Sequence, residues 1–95
     1  MNKYEAMLIV KPDLSEEEKK VLFSQISESV VKNNGNVTNA AVWMEKKKLF
    51  FPLKKQHEGM YYLVNFSALG SAVKDIRNAY KLNENILRAL ITKLE

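Results

Sequence analysis

The residues best suited to chemistry in this 95-residue sequence are cationic, and they are concentrated in one stretch. Residues 45–55 read EKKKLFFPLKK, so that three consecutive lysines and a lysine pair surround a short apolar run. Lysine ammonium groups hold the phosphates of nucleic acids. Lysines on an exposed strand edge also prevent unwanted strand pairing and keep a protein soluble. The stretch alone therefore leaves two interpretations open, a phosphate-binding surface and a solubilising edge.

Further cations fall on predicted strand ends and helix faces. The chain carries 15 lysine and arginine residues against 11 acidic residues, and its formal net charge of +4 favours polyanionic partners. Aromatic rings near the cations are suited to stacking on unpaired bases, although aromatic residues at strand spacing commonly belong to a core. The aromatic candidates are Tyr4, Phe50, Phe51, Tyr61 and Tyr62. Nucleic-acid binding is the chemistry that these residue types favour.

The sequence gives little support for an enzyme. It contains no cysteine and a single histidine, His57, which excludes thiolate catalysis and the usual zinc sites. Its three glycines stand far apart, so there is no glycine-rich phosphate loop, and no motif pairs a nucleophile with a base. Residues 11–14 lack the arginine that an acylphosphatase-type anion loop requires. We therefore predict no catalytic residue, no metal, no cofactor and no small-molecule substrate.

No segment has the pattern of a membrane span or a signal peptide. The uninterrupted apolar stretches are only a few residues long, and the first residues, MNKYE, lack a basic region followed by a hydrophobic segment. We expect a cytoplasmic protein with no membrane partner.

Apolar periodicity predicts six helices and strands. Residues 3–10 carry apolar side chains in both alternating rows, which is typical of a central strand. Ser15 and Glu18 have the spacing of a capping box at the start of a helix, and Gly35 is expected to adopt a left-handed conformation at its end. The other predicted elements are strands at 37–51, 60–66 and 85–94, a helix at 69–82, and a turn at 56–59.

The order strand, helix, strand, strand, helix, strand defines the fold class. With right-handed crossovers it predicts an α+β, ferredoxin-like βαββαβ sandwich, in which a four-stranded antiparallel sheet has two helices on one face. A chain of this length has room for one core, so residues 1–95 are expected to form a single domain. The second strand is long enough to predict a bulge within it, and Pro52 should end it or lie on a sheet edge.

Three motifs together resemble one family. They are KYE at 3–5, KKLFFPLKK at 47–55 followed by Gly59, and KLNENILR at 81–88. In this order and spacing they resemble the bacterial small-subunit ribosomal protein six family, and the resemblance covers essentially the whole chain. Phe50 and Phe51 stand where alanine and tyrosine are common in that family, and Glu45 stands where many members have glycine.

The resemblance implies a structural component of the small ribosomal subunit that binds 16S ribosomal RNA together with small-subunit ribosomal protein eighteen. Lysine and arginine side chains would hold phosphates without reading the base sequence. The predicted RNA-binding residues are Lys3, Tyr4, Lys46, Lys47, Lys48, Lys54, Arg77, Lys81, Arg88 and Lys93. The predicted partner-protein interface consists of Phe50, Phe51 and Tyr61.

One alternative from a different class of protein stays open. The same sandwich could serve as a protein-interaction or regulatory module that dimerises edge to edge and has no RNA role. In that case the lysines would serve solubility alone.

Overall fold

The fold is a four-stranded antiparallel sheet with two helices packed on one face. The computed structural model describes residues 1–94. Its elements are β1 (Asn2–Val10), α1 (Glu16–Lys32), β2 (Asn36–Leu53), β3 (Gln56–Ala68), a short 3₁₀ turn (Gly70–Ala72), α2 (Val73–Leu82) and β4 (Ile86–Lys93). The strand order is β2-β3-β1-β4. This arrangement confirms the predicted ferredoxin-like fold class.

β1 is central because it pairs with β3 on one side and with β4 on the other. One row of its side chains, which includes Ala6, Leu8 and Val10, is fully buried in the core shared with the helices. In the other row Lys3 is exposed and Met7 is half-buried. The sheet therefore has a second face that no helix of the described chain covers.

α1 begins at the predicted capping box. The Ser15 backbone N–H donates to Glu18 Oε1 at 2.9 Å, and the Glu18 backbone N–H donates to Ser15 Oγ at 3.1 Å. Hydrogen bonding from the Ser15 backbone, followed by that of its hydroxyl, lowers the pKa of the Glu18 carboxyl. The helix buries the predicted stripe of Leu22, Ile26 and Val30 against the sheet.

The end of α1 differs from the prediction. Asn34, with φ of 63°, adopts the left-handed conformation that was predicted for Gly35, so that prediction is wrong. Asparagine tolerates this region better than most residues with a side chain. Gly35 meets a packing requirement instead, because a Cβ there would lie 2.8 Å from both the Ser67 carbonyl oxygen and Val30 Cγ1. The missing side chain lets the start of β2 approach α1 and β3 closely.

A tyrosine joins the two helices. Tyr80 of α2 is almost completely buried, and its hydroxyl donates to the Ile26 carbonyl oxygen of α1 at 3.3 Å. Burial raises the pKa of the Tyr80 phenol well above its ordinary value. Phe23 of α1 stacks on Tyr62 of β3 with ring centroids 4.1 Å apart, which ties the same helix to the sheet.

The hairpin between β2 and β3 turns at Lys54 and Lys55, whereas we predicted the turn at residues 56–59. Leu53 pairs with Gln56, and the two lysines between them have φ of 48° and 68°. Two successive left-handed residues are the geometry of a type I′ turn, which matches the twist of the paired strands. The prediction was wrong because the polar residues 56–59 belong to β3.

The same hairpin extends beyond the rest of the sheet. The last residue of β1 lies opposite Met60, whereas β2 and β3 continue to pair through residues 47–59. We call residues 45–59 the hairpin arm. Several register shifts interrupt the pairing of β2 with β3, which confirms the predicted irregularity of this long strand. Pro52 lies in β2, an edge strand of the sheet, as expected.

Candidate nucleic-acid interface

Four predicted RNA-binding residues surround one cavity of about 420 Å³. Lys54 comes from the hairpin turn, Arg77 and Lys81 from α2, and Arg88 from β4. The remaining lining residues are Tyr80, Ile86, Leu87 and Ala89, and within residues 1–94 no carboxylate lines the space. We call this space the basic cavity. It brings together cations that lie more than 30 residues apart in the chain.

Helical spacing places two of these cations side by side. Arg77 and Lys81 are four residues apart on α2, so they lie one turn apart on one helix face. The adjacent face, about 100° around the helix, buries Ile76 and Tyr80 in the core. Packing of the apolar face therefore points both cations away from the core and toward the cavity.

The hairpin turn positions Lys54, and a register shift in β4 positions Arg88. The Lys54 Nζ atom donates to the Ile86 carbonyl oxygen at 3.1 Å, which holds the hairpin turn against the start of β4. Arg88 lies opposite Ile9 of β1, but Ile86 lies opposite Val10, so the register shifts between the two pairs. This shift sets Leu87 as an extra residue of β4 and lets Ile86 pack in the core while Arg88 stays exposed.

The lysine run lies on the hairpin arm. Lys46 forms an exposed ion pair with Glu58, with 3.9 Å between Nζ and Oε1, and such a pair stabilises little. The Lys47 Nζ atom lies 5.6 Å from the centre of the Tyr61 ring, close enough for a cation–π contact. Lys48 is exposed opposite Glu58. All three ammonium groups are accessible to a phosphate backbone.

Large aromatic side chains are exposed beside these lysines. Phe50 is fully exposed and Phe51 is 78% exposed, although both are strongly apolar. They line a shallow pocket that also includes Ile9, Tyr61 and Arg88. Arg88 therefore borders both the basic cavity and this apolar surface.

Trp43 is a residue of this region that the sequence analysis missed. It is 53% exposed, and its ring meets the edge of the Tyr61 ring with centroids 5.9 Å apart. As the single tryptophan of the chain, it carried a signal of its own, because tryptophan is enriched at energetically important contacts. We define Trp43, Phe50, Phe51 and Tyr61 as the aromatic surface.

The remaining predicted residues lie at the other end of the sheet. Lys93 is opposite Tyr4 on β1, five residues from the Ile9–Arg88 pair, which is about 17 Å along the strand. Lys3 and Lys93 are exposed. Tyr4 is buried and its ring packs on Phe66 with centroids 5.5 Å apart, so no base can stack on it. The structure does not bring these three residues to the basic cavity.

Residues 1–94 lack two features of other protein classes. Over residues 1–94 the helices are too short or too polar to cross a bilayer. The same part of the chain holds no cluster of three or more histidine, cysteine, aspartate or glutamate residues that could bind a metal ion.

The fold and this surface define the class of protein as a ferredoxin-like α+β sandwich that exposes lysine, arginine and aromatic side chains. The family model described as Ribosomal protein S6 matches residues 3–93. The chain therefore belongs to the ribosomal protein S6 family. Because the members of this family are structural proteins of the ribosome, the prediction that the chain is not an enzyme is confirmed.

Curated relatives agree over the full length of the chain. Proteins named small ribosomal subunit protein bS6 are 35% identical in Caldanaerobacter subterraneus and 37% identical in Thermoanaerobacter pseudethanolicus, and each alignment covers 100% of this chain and 99% of the relative. The bS6 of Dictyoglomus turgidum is 39% identical, with 100% and 97% covered. The predicted family resemblance is thus confirmed.

A solved structure supports the fold. The crystal structure of 30S ribosomal protein S6 from Thermotoga maritima superposes with a TM-score of 0.85 at 24% identity. The match covers 97% of this chain and 86% of that one.

Proposed function

We propose that this chain is a structural component of the small ribosomal subunit, in the cytoplasm, and binds 16S ribosomal RNA together with small-subunit ribosomal protein eighteen. In this proposal residues 1–95 act as one RNA-binding domain. The observation that carries the proposal is the position of Arg88, which borders the basic cavity on one side and the aromatic surface on the other. RNA and a protein partner can therefore bind side by side.

The RNA contact rests on charge. Lys54, Arg77, Lys81 and Arg88 converge from three elements, and Lys47 and Lys48 extend the positive surface along the hairpin arm. Cations in this number neutralise several phosphates and release their counterions, which is the main source of affinity for a polyanion. The net charge of +4 is modest, so we expect weak binding of the solitary chain and cooperative binding with a partner.

The protein contact rests on exposed apolar area. Exposure of the Phe50 and Phe51 rings to water is energetically unfavourable. Adjacent exposed aromatic side chains of this kind mark protein-interaction sites. Trp43 and Tyr61 continue the same surface. A partner that covers this surface would lie next to Arg88.

A co-sedimentation experiment tests the proposal. The tagged full chain is expressed in bacterial cells, and the lysate is separated on a sucrose gradient at moderate salt. We expect the chain in the small-subunit fractions, and its release by high salt. Recovery only in the free-protein fractions, as a dimer, would establish the regulatory-module alternative instead.

The requirement for a partner is tested with purified components. Binding of the chain to the central domain of 16S ribosomal RNA is measured by filter retention with and without protein eighteen. We expect measurable affinity mainly in its presence. Equal affinity in both cases contradicts cooperative binding.

A further inference from the structure

We propose that the basic cavity receives a single unpaired nucleotide of an RNA chain, with its base inside and its phosphate at the rim. This inference rests on the proposed function, since the nucleotide belongs to the RNA that the chain binds. It goes further because it assigns a base-binding subsite to a surface whose cations would otherwise contact only phosphates.

The size and lining of the cavity suit a nucleotide. Its volume of about 420 Å³ falls within the range of roughly 300–1,000 Å³ that is usual for small-molecule sites. Ile86, Leu87 and Ala89 line one side of the cavity and its accessible lining is mostly apolar, which favours a flat base over a hydrated ion. A site for phosphate alone would not require this apolar floor.

The rim of the cavity suits the phosphate. Arg77 and Lys81, one helical turn apart, can both donate to one phosphate group, and the guanidinium can do so through two N–H groups. Lys54 uses one of its three N–H bonds on the Ile86 carbonyl oxygen, which leaves two for a ligand. Cations of two separate elements, α2 and the hairpin turn, would then close around a single backbone phosphate.

An unpaired nucleotide fits better than a duplex. The base edges of an RNA helix are stacked and paired, so a base can enter a cavity only from a loop, a bulge or a strand end. Arg88 also lines the cavity, and a planar guanidinium group can stack on such a base. The Arg88 side chain also borders the aromatic surface, which places the neighbouring nucleotides beside Tyr61.

Methyl NMR on the assembled complex tests the subsite. The full chain, labelled at isoleucine and alanine methyl groups, is combined with protein eighteen and then with the central domain of 16S ribosomal RNA. A base in the cavity shifts the Ile86 and Ala89 methyl resonances upfield through its ring current. If RNA binds while both resonances stay in place, the subsite is refuted and the proposed function stands. If no RNA binds, the proposed function fails and the subsite fails with it.

Matched variants distinguish RNA binding in the cavity from a general electrostatic contact. Arg77→Met is expected to lower the affinity of this complex for RNA about tenfold, because it removes a charged hydrogen-bond donor. Lys74→Met, an equal loss of charge at an exposed position of the same helix outside the cavity, should leave the affinity almost unchanged. Equal losses in the two variants would overturn the proposal in favour of a diffuse electrostatic contact.

Free nucleotide provides the last comparison. Adenosine monophosphate is titrated into the labelled chain over the micromolar to millimolar range. Only weak, unsaturated shifts of the Ile86 and Ala89 resonances are expected, because most of the affinity comes from the rest of the RNA. Saturation at micromolar concentration would identify a free nucleotide as the ligand and overturn the assignment to RNA.

Discussion

Lys54 Nζ donates a hydrogen bond of 3.1 Å to the carbonyl oxygen of Ile86, two residues that are 32 positions apart. Lys54 lies in the tight turn of the hairpin arm, whereas Ile86 begins β4 and packs in the core. The bond ties the turn of the arm to the start of β4. It also positions the Lys54 ammonium at the basic cavity.

We expect Lys54→Met to loosen the hairpin arm and to weaken RNA binding. The substitution keeps the aliphatic stem but removes the donor to Ile86, which should cost about 0.5–1 kcal/mol of stability. Amide hydrogen exchange should become faster in residues 47–58 and stay unchanged in α1. Lys55→Met is the matched control, because its side chain is the neighbour in the same turn. Equal exchange in the two variants would rule out an anchoring role for Lys54.

Removing single cations from the surface should lower both RNA affinity and its salt dependence. For Lys47→Ala, Lys48→Ala and Arg88→Ala we expect the slope of log affinity against log salt to flatten by about 1 per lost phosphate contact. The measurement is filter binding of the complex with protein eighteen over a salt series. Unchanged affinity and slope in all three variants would remove these residues from the interface.

Phe50→Ser and Phe51→Ser should weaken partner binding without destabilising the fold. Both side chains are largely exposed, so their removal leaves no cavity in the core. Truncation of a central aromatic contact should lower the affinity for protein eighteen about tenfold, as measured by calorimetry. Leu82→Ser is the control, because Leu82 is 83% exposed at the end of α2. A comparable loss of affinity in that variant would contradict a specific role for the phenylalanines.

Tyr80→Phe should lower stability at neutral pH and flatten its decline at alkaline pH. The lost hydrogen bond to Ile26 is worth about 1 kcal/mol. Because burial raises the pKa of Tyr80 in the folded state, its contribution is fully present below the unfolded value of about 10. That contribution is lost as the pH rises from there toward the folded value. Urea unfolding at pH 7 and above pH 10 checks this, and parallel declines of both proteins would refute it.

Repeating patterns explain which parts of the fold were predictable. The stripe of Leu22, Ile26 and Val30 and the Ser15–Glu18 cap encode α1 locally, because helical spacing and capping depend on nearby residues. The alternation of β1 likewise indicated a central strand. These local sequence patterns were enough to derive the succession of helices and strands and, from it, the sheet.

Turn geometry and the candidate site were harder to predict. Lysine is not a residue type that indicates positive φ, so the turn at Lys54 and Lys55 gave no local signal. The basic cavity combines the hairpin turn, α2 and β4, and sequence periodicity does not tell which ends of these elements meet. Alternation also could not tell that Tyr4 faces the helices, where its ring is buried.

The left-handed turn at Lys54 and Lys55 sets stability against recognition. Both residues hold backbone angles that cost a lysine about 1 kcal/mol or more and suit asparagine and glycine far better. An Asn-Gly pair would relieve this strain but would remove two positive charges from the tip of the arm. The same replacement would remove the Lys54 hydrogen bond to Ile86, so the unfavourable backbone angles are offset by both the charge and the anchoring contact of the lysine side chain.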